Sequence, residues 1–340
     1  MKSKFQPISY KKISTLLFIC SLIIVIFSIL KVRSYYRFLP YMGPVKCMLW
    51  SLEESFYFTP NCEESLNIEG RNIQLKINEI GLRERPQKEI KKNQVLLVGD
   101  STIEGMGLNF DETFSQVLER KFKKSLDLQF LNLGIRKSGT LYQADLLRKY
   151  IKMLEPKYVI WSLTENDFND DYLAVTRAIR FDKYGIPIKY DFQNVPTYSK
   201  DPFTYFVRGF DPMFSDFTAI LRHLYLARMN YNFVSRYDKN PAICNGIELG
   251  YKLAKDNNFK IQFLIVPFGP LYYSVFKEGN LKNKLNKLIG CLRDKPFDLR
   301  IENIENNSEL FQKDLMHLNA IGVVDSIDYL ESSIYKFLKN

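Results

Sequence analysis

The sequence predicts an α/β protein, a parallel sheet with helices on both faces, carried behind an N-terminal transmembrane helix. Three observations lead there. Strand-like apolar runs at 95–99, 129–134, 158–164 and 260–267 alternate with helical patterns at about 111–125, 140–154 and 242–257. A weaker run near 298–304 precedes a last helical pattern over 319–338. Alternation of this kind builds crossover units and hence a parallel sheet. Second, Ser101, the turn after Asn132, and Asn166 all follow strand ends. In open α/β sheets that rim is where ligands bind. Third, residues 13–30 are predominantly apolar and carry no charge.

Taken in order, the chain divides into a cytoplasmic tail (1–12), a membrane anchor (13–30), an N-terminal extension (31–90) and a main domain (91–340) with an insertion at about 170–240. The apolar run is longer than the roughly 7–15 residue core of a cleaved signal peptide, and no small-x-small site follows it. Lys2, Lys4, Lys11 and Lys12 with the terminal amine outweigh Lys31, Arg33 and Arg37. The excess leaves the N-terminus in the cytoplasm and exports the remainder. A cleaved signal peptide is the alternative; either places the main domain outside the cytoplasm. With 340 residues, 46% of them hydrophobic, the chain can bury a full core. Its formal charge of +10 comes without a nucleic-acid motif. The excess therefore fits a surface facing anionic lipid or glycan, with no nucleic-acid partner.

The extension, 34–90, is rich in Tyr, Phe and Glu with little period, and ends in Asn78-Glu79-Ile80-Gly81-Leu82-Arg83. Residues 94–107, Q-V-L-L-V-G-D-S-T-I-E-G-M-G, are the centre of the domain. A buried run ends at Gly99-Asp100-Ser101, which delivers one side chain to the sheet rim and makes Ser101 the candidate nucleophile. A serine hydroxyl needs an adjacent base. The chain has two histidines. His223 sits in a helix-like apolar segment, whereas His317 follows Asp314 by three residues. A carboxylate at that spacing can bond one ring nitrogen while the other faces a serine.

G-D-S after an early strand, Asn132-Leu133-Gly134 after the next, Asn166-Asp167 after the third and Asp314-x-x-His317 near the C-terminus together resemble the SGNH (GDSL-type) hydrolases. The resemblance spans about residues 90–340. It implies a three-layer α/β/α flavodoxin-like fold with Ser101 as nucleophile, His317 as general base and then acid, Asp314 as its orienting carboxylate, and Asn166 as an oxyanion-hole donor. In the family a glycine N–H after the second strand also serves. Here Lys137 stands where that glycine is expected, with Gly139 two positions later and Gly134 three earlier as the candidates. An α/β-hydrolase elbow, G-x-S-x-G, is only half matched: Gly99 fits its first glycine, but Ile103 occupies the second position.

The insertion carries Tyr and Phe with Arg177, Arg180, Arg208, Arg222 and Arg228. It reads either as helices covering a sheet edge or as a platform where aromatics stack on sugars and arginines hold acidic groups. Cys47, Cys62, Cys244 and Cys291 lie beyond the anchor, and Cys47–Cys62 with Cys244–Cys291 is the more local of three pairings. No cysteine or histidine cluster points to a metal, and no cofactor is expected. The expected activity is hydrolysis of O-acyl, chiefly O-acetyl, esters on a cell-envelope or exported polysaccharide, the partner being an acylated glycan or lipid-linked substrate. Transfer of the acyl group to a sugar by the same residues, and an inactive glycan-binding or assembly role, are the alternatives.

Overall fold

The computed structural model describes residues 15, 17–23, 25–26, 46–51, 55–68, 70–91, 94–164, 166–190, 242–266, 269, 278–299, 307–312 and 317–339. In chain order these form strands β1 (Met48–Ser51), β2 (Ser55–Phe58), β3 (Glu63–Ile68), β4 (Arg71–Lys76) and β5 (Gln94–Gly99). Helices α1 (Ser101–Glu104) and α2 (Phe114–Phe122), strand β6 (Gln129–Gly134), helix α3 (Thr140–Leu154) and strand β7 (Tyr158–Leu163) follow. Then come α4 (Asp167–Arg177), β8 (Ala178–Phe181), β9 (Pro187–Tyr190), α5 (Ala242–Asn257) and β10 (Lys260–Ile265). The chain closes with α6 (Glu278–Cys291), β11 (Phe297–Leu299) and α7 (Ala320–Lys339).

The central sheet has five strands in the order β11-β10-β7-β5-β6, and every pair is parallel. All six residues of β5, of β6 and of β7 are buried, as expected of strands covered on both faces. Alternate side chains supply two cores. Leu96, Val98, Leu131, Val159 and Trp161 pack with α3, α5 and α6. Val95, Leu97, Phe130 and Ile160 pack with α2 and α7 on the other face. The chain steps from β5 outward to β6, then returns past β5 to β7, so the strand order reverses at β5. Right-handed crossovers running in opposite directions put α2 and α3 on opposite faces, and the carboxyl ends of β5 and β7 flank the crevice that results.

The extension is more regular than its sequence suggests. β1 pairs with β2 and β3 with β4, both antiparallel. In β4 burial alternates, with Ile73 and Leu75 inward and Asn72 and Gln74 outward. These hairpins pack on the main domain, Phe58, Leu75 and Ile77 against Ile135 and Tyr142. Ile68 and Ile73 meet Met106, just past α1. Cys47–Cys62 and Cys244–Cys291 are both bonded, the more local pairing. α6 had no counterpart in the sequence reading.

The described residues of the expected anchor, 15, 17–23 and 25–26, are helical, and Leu17, Phe18 and Ile19 are exposed. Among the described residues no helix is long and apolar enough to cross a membrane. The insertion begins with α4 and the antiparallel pair β8–β9; Arg208, Arg222, His223 and Arg228 lie outside the described residues.

Candidate active site

β5 ends at Gly99, where a Cβ would come within 2.6 Å of Ile103 Cγ1, and Asp100 caps α1 by accepting from the Thr102 N–H at 2.9 Å. Ser101 is thereby the first residue of α1, 7% exposed at the strand's carboxyl end. Its Oγ lies 2.9 Å from Nε2 of His317. With the ring proton on Nδ1, Nε2 accepts the serine proton, the arrangement a nucleophile–base pair requires. Asp314, expected at Nδ1, lies outside the described residues.

His317 is delivered by a turn and not by a strand end. Phe311 and Leu318 form an isolated antiparallel bridge, and the Gln312 N–H donates to the His317 carbonyl at 2.8 Å. The buried Gln312 side chain donates through Nε2 to the carbonyls of Met106 (2.6 Å) and Leu318 (3.0 Å). It ties the histidine turn to the segment following α1. Asn319 holds the same turn, donating to the carbonyls of Glu309 and Phe311 and accepting from Gly322 N–H. Neither residue stood out in the sequence; an amide flanking a histidine carries no motif of its own.

α1 is braced on its other end by Arg83, the last residue of the Asn78–Arg83 block. Its guanidinium donates to the carbonyls of Glu104 (2.8 Å), Gly105 (2.7 Å) and Leu108 (2.5 Å). The first two close α1, whose end leaves its carbonyls without intrahelical partners, and the third lies in the segment that follows. Arg83 is 2% exposed, and burial draws its pKa down to about 10. Asn78 shapes the approach by accepting from the N–H groups of Ile80 and Leu82 and donating to the Arg85 carbonyl. Glu104, fully buried in α1, forms an ion pair with Arg136 in the β6–α3 loop and accepts from the Arg136 backbone N–H at 2.7 Å.

The expected oxyanion donors fare differently. The Gly134 N–H donates to Asn132 Oδ1 at 2.9 Å. What demands glycine there is proximity: a Cβ would come within 2.1 Å of the Glu104 nitrogen. Asn132 is a strut, its Nδ2 donating to the Ile103 carbonyl at 2.7 Å. Lys137, where the resemblance expects glycine, has φ of 61°, a backbone state that glycine adopts freely. Gly139 caps α3 in an extended conformation, and a Cβ there would meet Asp171 Oδ1 at 2.3 Å.

Asn166 caps α4 beyond β7. Its Oδ1 accepts from Thr164 Oγ1 at 2.6 Å, while Nδ2 donates to Asp100 Oδ2 at 2.9 Å and to Asp170 Oδ2 at 3.1 Å. Asp100 Oδ2 also stands 3.2 Å from Thr164 Oγ1, whose one hydrogen the shorter Asn166 contact takes, and 3.5 Å from Ser101 Oγ, the outer limit of a hydrogen bond. The first turns of α4 are rich in carboxyls that sequence reasoning passed over. Asp167 accepts from Thr164 N–H and Gln143 Nε2, and burial followed by the Asp100 charge raises it well above the carboxylate range. Asp171 accepts from Thr140 Oγ1 and Leu141 N–H at the start of α3, and burial raises it to about 6. Asp170, partly exposed, is raised to about 7 by desolvation and then by Asp100.

No family model matches the chain, and no curated protein does. Among solved structures it is similar to the psychrotrophic esterase EstA from Pseudoalteromonas sp., inhibited by monoethylphosphonate, at 17% identity and a TM-score of 0.45 over 73% of this chain and 100% of that one. It is also similar to a putative lipolytic protein of the G-D-S-L family from Desulfitobacterium hafniense, at 12% identity and a TM-score of 0.40, covering 71% and 98% of the two chains. AlinE4, an SGNH-hydrolase family esterase, aligns at 13% identity and a TM-score of 0.35 over 72% and 96%. At such identities and TM-scores, what this chain does rests on its own side chains. Those define a serine–histidine pair at the carboxyl edge of a parallel α/β sheet, with an amide and four carboxyls around it.

Proposed function

We propose that the chain is an ester hydrolase of the SGNH (GDSL) type, held to a membrane by residues 13–30 with its main domain outside the cytoplasm. Its substrates are O-acyl, chiefly O-acetyl, esters of a cell-envelope or exported polysaccharide. The observation that carries the chemistry is the 2.9 Å contact between Ser101 Oγ and His317 Nε2. As Ser101 attacks an ester carbonyl, Nε2 takes its proton, and the same imidazole returns a proton to the departing sugar oxygen. Water then repeats the sequence on the acyl-serine, with Asp314 steadying the imidazolium. The negative charge that builds on the carbonyl oxygen needs donors. The Ser101 N–H lies in the first turn of α1, where no intrahelical acceptor is within reach. Asn166 and a backbone N–H of the 137–139 segment are the other two.

Location and substrate rest on different features. The apolar run with its flanking lysines supports the anchor, and two bonded cysteine pairs suit an oxidising compartment. The basic balance and the aromatic insertion support an acidic acylated glycan or lipid-linked substrate. The test is direct. Purified protein hydrolyses p-nitrophenyl acetate and releases acetate from acetylated polysaccharide, Ser101→Ala does neither while keeping its circular dichroism, and a fluorophosphonate labels Ser101. Unchanged turnover in Ser101→Ala removes the serine from the chemistry. Acetyl groups found on added sugar, with little free acetate, would assign the protein as a transferase instead.

A further inference from the structure

We infer that Asp170 is a positioning residue that holds the Asn166 amide away from the reacting oxygen, a brake on the oxyanion hole that substrate must release. The inference rests on the ester-hydrolase reading above and extends it to regulation of the same site.

An amide has two N–H bonds to give. Both hydrogens of Asn166 are committed, one to Asp100 Oδ2 at 2.9 Å and one to Asp170 Oδ2 at 3.1 Å. Asn166 Oδ1 is held as well, by Thr164 Oγ1 at 2.6 Å, so the side chain is pinned at three points. An oxyanion formed at Ser101 can bond to Asn166 only if one carboxylate gives up its hydrogen. Asp100 is the poorer candidate to yield. It is 2% exposed, accepts from Thr102 N–H, and caps the helix that carries Ser101. Asp170 stands one turn along α4 from Asn166 and is partly open to solvent. Releasing it leaves the nucleophile turn intact.

Charge works in the same direction. An ionised Asp170 competes with the oxyanion for the hydrogen and adds a negative charge beside the one that is forming. Once protonated, it loses much of its hold on the amide. The groups facing it are Asp100 from the β5–α1 turn, Lys137 from the β6–α3 loop, and Asp167 and Asp171 on its own helix. Lys284 and Lys287 of α6 lie over the Phe168 ring in the first turn of α4. In α5, Glu248 pairs with Lys295, Lys252 lies over the Tyr184 ring and Lys255 over the Tyr251 ring. In α3, Arg148 is paired with Asp145 and Asp182. Burial and Asp100 outweigh Lys137, so Asp170 titrates at about 7, where a modest pH change resets the brake.

The experiment measures kcat and KM for p-nitrophenyl acetate between about pH 5 and pH 9 in the wild type, Asp170→Asn, Asp170→Ala and Asp170→Glu. Losing one oxyanion donor outright costs about 10²- to 10³-fold; partial competition should cost about 10-fold. Relative to Asp170→Asn, the wild-type kcat should therefore fall about 10-fold as pH rises through about 7, on top of the rise that deprotonation of the His317 base gives both proteins. The Asn and Ala variants should lack that fall, matching the wild type in acid and exceeding it about 10-fold in alkali. The Glu variant, keeping a carboxylate, should retain a fall. In the crystal structure of a fluorophosphonate adduct, Asn166 Nδ2 should have left Asp170 for the phosphonyl oxygen. Labelled Ser101 with a pH profile unchanged by Asp170→Asn and Asp170→Ala, or with kcat lowered equally at every pH, would overturn the inference and leave the hydrolase reading standing. Failure to label Ser101 would overturn both.

Discussion

The two halves of the candidate site are held by different means. Ser101 and Asn166 ride on strand ends, where sheet register fixes position: Val95 pairs with Tyr158 and Val98 with Trp161, so the two rims advance together. His317 rides on a short turn, and its place depends on the side-chain amides of Gln312 and Asn319 substituting for a ladder. The serine half can lose a local contact and keep its register. Among the described residues those two amides hold the histidine half, so each should matter more to activity than to stability.

The largest effect tests whether the halves act as one. Ser101→Ala, His317→Ala and the double variant should each lose a similar factor in kcat, on the order of 10⁶-fold, because a nucleophile and its base are not additive. Losses that multiply in the double variant would separate them. Next comes Gln312→Ala, which leaves the Met106 and Leu318 carbonyls without its donors. We expect kcat to fall about 10- to 10²-fold, with a stability cost of about 1–3 kcal/mol by urea denaturation. A variant that unfolds more readily but turns over normally would break the contrast. For the serine half, Arg83→Met removes a charged donor to three carbonyls. It should cost about 3 kcal/mol, with kcat reduced less than in Gln312→Ala.

The smallest effect concerns pH. The Asp170 carboxyl is raised to about 7 in the folded protein, so its contribution to stability is present below the ordinary carboxylate range and is lost as pH rises toward about 7. Asp170→Asn removes that loss. Its Tm should match the wild type near pH 4 and exceed it by a few degrees near pH 7, the gap opening in between. A gap that opens only above pH 7 would assign the titration to another group.

The strands around the site were legible because burial on both faces writes an uninterrupted apolar run, as in 95–98 and 158–161. Ser101 and His317 are legible through their neighbours, the apolar run that ends at Gly99-Asp100 in one case and the block Asp314–His317 in the other. The extension was misread as irregular. Leu66, Ile68, Ile73 and Leu75 do alternate, but over two strands of six residues each, too short a period-2 signal to stand out beside aromatic and acidic residues. Gly134 is a candidate donor because the resemblance expects a glycine N–H after the second strand. Only packing reveals that its N–H is spent on Asn132 and that its missing side chain makes room for α1.

By itself the sequence determined the alternation of strands and helices, the parallel sheet and the choice of Ser101 and His317 as candidates, all of which follow from local periodicity and side-chain chemistry. Tertiary structure decided which groups brace that pair. The guanidinium of Arg83 reaches α1 across 21 positions of sequence, and the Gln312 amide reaches Met106 across 206. It also decided that both hydrogens of Asn166 are held by carboxylates. Hydrogen bonds between distant segments follow no spacing rule; they exist only once the sheet has brought its strand ends together.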